Sequence, residues 1–343
     1  MDDSIVKEVV ETATKEHERD YFADFGGKGY SPIRIVDENF NEISAREHTG
    51  KIVFIDGGNA EVASGPNFSF HFFRIYYCIY EGKERKLNGR NEFFALVSTK
   101  EGGDGIVYTT KFFKGAPIGD LEFFPNDETL KDGLKRAKIS RVGDVIRRFS
   151  ELQTAINVME ILEEDDVIVL DGNLEAAFTG EQAYFDRLYR KAGERNVAVV
   201  GFSKTTSLLT KKGTPLAKIF LSKRPNGLWH YSPVVEIMNE SHKADIFFAK
   251  LHPDSNFVFR VDIYDGVPYN TDNLFGALCS HSKDPVFLGY PYGLIEADKF
   301  ARVSNQEKEM LQTEFRVKCG IEWEKIEKIS KSQSAHDVLD RVG

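Results

Sequence analysis

Two apolar runs in this chain end on the same dipeptide. Lys51-Ile-Val-Phe-Ile-Asp56-Gly57-Gly58 and Asp166-Val-Ile-Val-Leu-Asp171-Gly172-Asn173 each carry one carboxylate where a buried strand is expected to stop. Runs of β-branched and large apolar residues read as strands covered on both faces, and Asp-Gly turns the backbone and leaves room for a ligand beside the main chain. If the two strands lie side by side, two acids meet at one edge of a sheet. Like charges that close repel unless a proton is shared or a cation sits between them, so the pair asks for a metal ion.

A third acid, Glu151, lies between Phe149 and Leu152, closest of the acids to the apolar stripe of a helical segment. Either it faces the carboxylate edge or it is one more solvated glutamate on a surface helix. The stretch Gly289-Tyr290-Pro-Tyr292-Gly-Leu-Ile-Glu296-Ala-Asp298 reads as an aromatic turn running into two acids. Two basic segments are candidates for a polyanion groove: Lys135, Arg136, Lys138 and Arg141 with Arg147 and Arg148, and Lys211, Lys212, Lys218, Lys223 and Arg224. A solvated face is the plain alternative for any one of them.

These groups need elements to position them. Apolar positions from Ser4 to about Phe22 fall at helical spacing and predict an N-terminal helical appendage, within residues 1–45. The strand Lys51 to Asp56 is followed by an expected turn region, Gly57 to Gly65. Ser69–Tyr80, Asn91–Ser98 and Gly105–Phe113 then make an antiparallel meander. Between Arg141 and Glu164 the period changes, with Val142, Val145, Phe149, Leu152, Ile156 and Met159 on one helix face. The strand Val167–Asp171, a helix over Glu181–Glu194 and the run Val197–Phe202 form a strand-helix-strand unit with parallel strands. This order is that of a ribonuclease H-like α/β fold, a mixed sheet flanked by helices, in which the first and fourth strands are central neighbours. Beyond Thr205 the pattern is less regular, with a strand around Phe257–Ile263 and helices over Asp272–Ser282 and Asn305–Cys319. We expect one elaborated domain, core about 48–318, with a loosely held polar tail over 328–343.

Composition narrows the class. The chain has 343 residues, 41% hydrophobic and 29% charged, an ordinary globular balance, and no apolar run long enough to span a bilayer. The acidic start Met1-Asp-Asp-Ser-Ile-Val-Lys-Glu lacks the features of a secretory signal, so a cytoplasmic protein is expected. Cys78, Cys279 and Cys319 include no C-x-x-C pair, which disfavours a structural zinc site or a disulfide framework. A net charge of −9 argues against a wholly basic surface, yet a site built of carboxylates adds negative charge of its own and only a local groove must be basic.

Taken in order, FIDGG at Asp56, Glu151 on the helix, VIVLDGNL at Asp171, VAVVGFSKT at Lys204 and LGYPYGLIEAD before a final helix closely resemble the NurA family of nucleases, from about Lys51 to Phe315. The resemblance implies a ribonuclease H-like, manganese-dependent nuclease acting on single- and double-stranded DNA, 5′ to 3′ as an exonuclease with some endonuclease activity. It also implies a homodimer that works with the hexameric HerA translocase in DNA-end processing, with Asp56, Glu151 and Asp171 as catalytic acids. The family's last motif usually reads Glu-Ala-His, where this chain has Glu296-Ala297-Asp298. Asp is itself a good ligand for hard Mn²⁺ or Mg²⁺, so Asp298 joins the expected metal ligands.

The chemistry fits the residues. Phosphodiester hydrolysis needs an activated water, a stabilised leaving oxygen and neutralised phosphoryl charge, and two divalent ions roughly 4 Å apart held by three or four carboxylates supply all three. Asp56, on the central strand, is the bridging candidate, with Glu151, Asp171 and Asp298 at the flanks. Lys204 is placed to contact a phosphate, or is only a surface lysine at a strand end. Tyr290 and Tyr292 stack on a base or line the DNA path, or belong to the core. An actin-like phosphotransferase also ends strands in Asp-Gly, but no G-x-x-x-x-G-K-[ST] loop is present. The alternative function is a catalytically weak or inactive family member acting as a DNA-end clamp or translocase scaffold.

Overall fold

A computed structural model describes residues 2–14, 20–44, 48–103, 105–204, 206 and 208–331. Helix α1 (Asp3–Thr14) and the short strands β1 (Ala23–Asp24), β2 (Tyr30–Pro32) and β3 (Phe40–Glu42) come first. The meander is β4 (Lys51–Gly65), β5 (Phe68–Glu81), β6 (Glu84–Gly102), β7 (Gly105–Phe113) and β8 (Glu122–Phe123). Helix α2 (Val142–Val158) leads to β9 (Val167–Asp171), α3 (Glu181–Arg195) and β10 (Ala198–Ser203). Next are β11 (Leu209–Thr210), α4 (Leu216–Lys223), β12 (Trp229–Tyr231), β13 (Val235–Ile237), β14 (Ala244–Lys250) and β15 (Phe259–Tyr264). Four helices close the described chain: α5 (Thr271–Ser280), α6 (Tyr292–Ala301), α7 (Asn305–Cys319) and α8 (Trp323–Lys331).

The main sheet has eleven strands in the order β3-β12-β14-β15-β10-β9-β4-β5-β6-β7-β8. Among the described residues only β4–β9 and β9–β10 pair in parallel, so the expected parallel unit sits beside the meander and places the two Asp-bearing strands side by side. This is the mixed, helix-flanked sheet of a ribonuclease H-like fold. Alternation along β4 sets the layers. Val53 and Ile55 face a core built with α2 and α3, while Ile52 and Phe54 face a second core built with α5 and α6. Each such fully buried side chain contributes about 1.5–3 kcal/mol.

Strand β4 does not end at Asp56, as the sequence suggested. It continues to Gly65 because β5 keeps pairing with it, through Gly57↔Ile75 and Gly58↔Arg74, after its parallel neighbour β9 has ended past Ile55↔Leu170. The glycines provide space there. A Cβ on Gly57 would lie 2.6 Å from Glu151 Oε1, and one on Gly58 would lie 2.2 Å from the Ala301 carbonyl oxygen. Gly58→Ala is therefore expected to lower stability by about 1–3 kcal/mol, the usual cost of overpacking. A reduced urea midpoint at unchanged slope is the readout, and an unchanged midpoint would show that the Ala301 segment yields freely.

Other differences have local causes. The stretch expected as an aromatic turn becomes helix α6 from Tyr292 onward, with Pro291 at its N-cap and Leu294, Ala297 and Ala301 buried at helical spacing. Gly293 lets it lie against Phe54, whose ring a Cβ would meet at 2.0 Å. The N-terminal helix is seen as Asp3–Thr14, and residues 15–19 lie outside the described residues. The chain from Tyr21 is not helical, and it joins a third core of Ala23, Ile35, Phe40, Phe220 and Trp229, with β3 as the edge of the main sheet. Of the expected polar tail, 328–331 end helix α8 and 332–343 lie outside the described residues. Among the described residues no helix is long and apolar enough to cross a membrane.

Candidate active site

Asp56 and Asp171 sit one step beyond the last parallel pair, Ile55↔Leu170. In a parallel ladder residues in register point to the same face, and the parity of Ile52 and Phe54 on β4 and of Val167 and Val169 on β9 assigns both acids to the α6 side. Lys204, just past β10, joins them. Its ammonium lies 3.7 Å from Asp56 Oδ2, 2.9 Å from Asp171 Oδ2 and 2.8 Å from Asp298 Oδ1. Asp298 comes from the second turn of α6, so three strands and a helix meet at one point.

Glu151 enters from the opposite face. Helix α2 buries it, its Oε1 rests against the bare Cα of Gly57, and it accepts a hydrogen bond from Arg147 Nη1 at 2.5 Å. The sequence left open whether this glutamate faced solvent, and the structure turns it inward. Arg147, a third exposed, pairs with Glu151 at i,i+4.

The electrostatics record a surplus of negative charge. Burial first, then Asp171 and Glu151, push the Asp56 carboxyl up to about 7, although Lys204 and the Gly57 amide work the other way. Burial also raises Glu151, despite Arg147 and Arg148. Burial opposes the charge on Lys204, yet Asp171, Asp298 and Asp56 together hold its ammonium above the usual lysine range. Four acids thus share Lys204 and Arg147, with Arg148 held mainly by Glu181 at 2.7 Å and reaching Glu151 Oε2 only at 3.7 Å.

Several predicted site residues fall into different places. Tyr290 is 1% exposed and packed among Phe202, Phe259 and Phe287, so its ring is core and is not open for base stacking. Burial first, then Asp171, Asp56 and Asp298, push its phenol up. Tyr292 begins α6, stacked on His281 and against Tyr80, and the structure does not bring it to the carboxylates. Arg148 points inward and is not a surface cation. Glu296 accepts hydrogen bonds from Tyr76, Tyr80 and Arg85 and leaves the site to Asp298. Of the two basic segments, Lys135, Arg136 and Lys138 are exposed just before α2. Lys223 and Arg224 instead pair with Asp37 and Glu42 at the β3 edge, six strands from β4.

Sequence reasoning passed over Glu181. It is fully buried in the first turn of α3, where it accepts the Ala177 and Phe178 amides at 2.8 and 3.0 Å. Its place at a helix start was the available signal.

The NurA domain profile matches residues 50–303. The crystal structure of the NurA nuclease from Sulfolobus solfataricus superposes with a TM-score of 0.53 at 15% identity, over 83% of this chain and 89% of that one. Endonuclease V of Ciona intestinalis, solved with a 24-mer DNA, matches at a TM-score of 0.39 and 11% identity, over 74% of this chain and 84% of that one. Argonaute of Aquifex aeolicus matches at 0.31 and 11% over 74% of this chain and 28% of that one. No curated protein sequence matches the chain. The profile covers most of the chain and takes in all four converging acids and Lys204, so the protein belongs to the NurA family.

Proposed function

We propose that this protein is a metal-dependent deoxyribonuclease that hydrolyses DNA phosphodiesters at the Asp56, Glu151, Asp171 and Asp298 cluster. The observation that carries the proposal is the convergence of these acids from two parallel strands and two helices, with Asp56 too buried and too crowded by like charge to stay ionised as an ordinary aspartate. Membership in a family with a nuclease structure supports the same reading.

The donor set suits a hard divalent ion, since every side-chain donor is a carboxylate oxygen. Among the described residues no three acids, imidazoles or thiols are already drawn together as a ready shell. The centre of the cluster is taken by the Lys204 ammonium, a cation that must shift for another to enter. Asp56, Glu151, Asp171 and Asp298 would hold Mn²⁺, or Mg²⁺, and two such ions when bound supply water activation and charge neutralisation at phosphorus. Lys204, released from its acids, can reach a phosphate oxygen as a point charge. Arg147 flanks the cluster from α2 and can meet a neighbouring phosphate, while Lys135, Arg136 and Lys138 are exposed in the segment before α2.

Family resemblance supports the finer assignments. They are 5′ to 3′ exonuclease action with endonuclease activity, a homodimer enclosing the DNA, and partnership with a HerA-type translocase in DNA-end processing in the cytoplasm. Linear and circular DNA incubated with the protein and Mn²⁺, against an EDTA control, tests the activity. Cleavage in Mn²⁺ alone is expected. Binding without cleavage would replace the proposal with the DNA-end clamp, and neither binding nor cleavage would overturn both. Light scattering is expected to give twice the 38.9 kDa chain mass. A monomer at working concentration would remove the two-subunit channel.

A further inference from the structure

Arg147 and Arg148 are adjacent on α2 but do opposite things. Arg148 is only 12% exposed at its side chain. Its Nε donates to Glu181 Oε1 at 2.7 Å, Nη2 donates to the Asn173 carbonyl at 2.8 Å, and Nη1 reaches the Asp171 carbonyl at 3.5 Å. Nη1 also lies 3.7 Å from Glu151 Oε2, and the guanidinium covers the Phe185 ring at 5.5 Å. One planar fork therefore joins α2, the loop that leaves β9 and the first turn of α3.

That loop starts directly after Asp171, the last residue of β9. Its amide side is pinned by Gly172 N to the Phe202 carbonyl at 2.9 Å and by Leu174 N to Asp262 Oδ2 at 3.2 Å. Its carbonyl side faces Arg148. Gly172 adopts φ +101°, and its carbonyl packs where a Cβ on Gly201 would be 2.7 Å away, so the loop is held in a shape that few residues allow. Side chains that fix the backbone of metal-ligating residues govern how well the ligands are presented, and a guanidinium offers five donors in a fixed planar fork, spread widely enough to hold two carbonyls and a carboxylate on separate elements.

We infer that Arg148 is a positioning residue: by bridging Glu181 to the Asp171 and Asn173 carbonyls it sets Asp171, and with it Glu151, in the geometry that holds the divalent ion, and it makes no contact with DNA. This rests on the nuclease reading above. Glu181 is the second half of the device, because it anchors the guanidinium while capping the Ala177 and Phe178 amides.

Two full-length variants test this. Arg148→Lys keeps the charge beside Glu181 but cannot span the three acceptors. The double variant Arg148→Met with Glu181→Gln removes both charges, so no unpaired carboxylate is left buried. Both are compared with the parent by thermal melting, by Mn²⁺ titration calorimetry without DNA, by DNA binding in EDTA across salt concentrations, and by steady-state cleavage. In folded variants the Mn²⁺ Kd is expected to rise about 10- to 100-fold and kcat to fall similarly. KM, DNA affinity in EDTA and its salt slope should stay within about twofold of the parent. Arg148→Lys alone carries the test if the double variant does not fold.

Weaker DNA binding with a salt slope smaller by about one, at unchanged Mn²⁺ affinity, would make Arg148 a phosphate contact and overturn the inference. So would a lower melting temperature with parental Mn²⁺ affinity and kcat, which is the mark of a merely structural arginine. A parent that neither binds Mn²⁺ nor cleaves DNA would overturn the nuclease reading and this inference together. An active parent with unaffected variants would overturn this inference alone.

Discussion

Asp56→Asn is expected to abolish Mn²⁺-dependent DNA cleavage while the protein stays folded. The change removes a charge and hardly any volume, and Asp56 occupies the point where β9 has ended and β5 still pairs, between Asp171, Glu151 and Lys204. A site that relies on held cations to activate water and stabilise the leaving oxygen loses both functions when its central carboxylate goes. A loss of roughly 10³-fold or more in kcat is expected, not a small factor. Initial rates on labelled linear DNA over a range of Mn²⁺ concentrations provide the check, with circular dichroism to confirm the fold. Cleavage at the parental rate would remove the reaction from this cluster.

The same residue makes the metal-free protein sensitive to alkali. Folding raises the Asp56 carboxyl from 3.8 to about 7, so between those values the folded state binds a proton that the unfolded state does not. The stabilisation this gives is present in full below about 4 and is lost as the pH climbs to 7, and Glu151, also raised by burial, acts in the same direction. At about 1.36 kcal/mol per unit, Asp56 alone represents a difference of a few kcal/mol. In EDTA the melting temperature is therefore expected to be several degrees lower at pH 8 than at pH 5. Asp56→Asn should flatten that difference by raising the value at pH 8, and Mn²⁺ added to the parent at pH 8 should restore stability by binding the native state. An equal pH slope in the parent and in Asp56→Asn would show that the carboxylate is not under the strain its surroundings indicate.

How far the sequence could lead differs from element to element. The strand Gly105–Phe113 and the helix Asn305–Cys319 have the ends that the sequence predicts, because sustained alternation and helical periodicity are local signals. The β9-α3-β10 unit and its parallel pairing were legible for the same reason, and once β4 and β9 were neighbours Asp56 and Asp171 had to meet. Helix α6 is not legible in the sequence because it is short and opens at Pro291, Tyr292 and Gly293, which resemble a turn. Its place against the sheet depends on Gly293 settling on Phe54, a contact no local pattern announces.

The residue types, their order and the two Asp-ended apolar runs were determined by the sequence itself, and with them the fold class and the acids that converge. Which neighbours those acids share was decided only by tertiary structure. The Asp-Gly at 56 looks like the one at 171, yet one lies within a strand that β5 carries on to Gly65 and the other ends its strand, because pairing partners on either side determine where a strand stops. Arg147 and Arg148 are equivalent in sequence, but a helix turns by about 100° per residue. One therefore flanks the acids a third exposed, and the other is locked between Glu181 and the Asp171 loop. Side-chain direction across packed elements is a property of the assembled layers, and no span of sequence carries it alone.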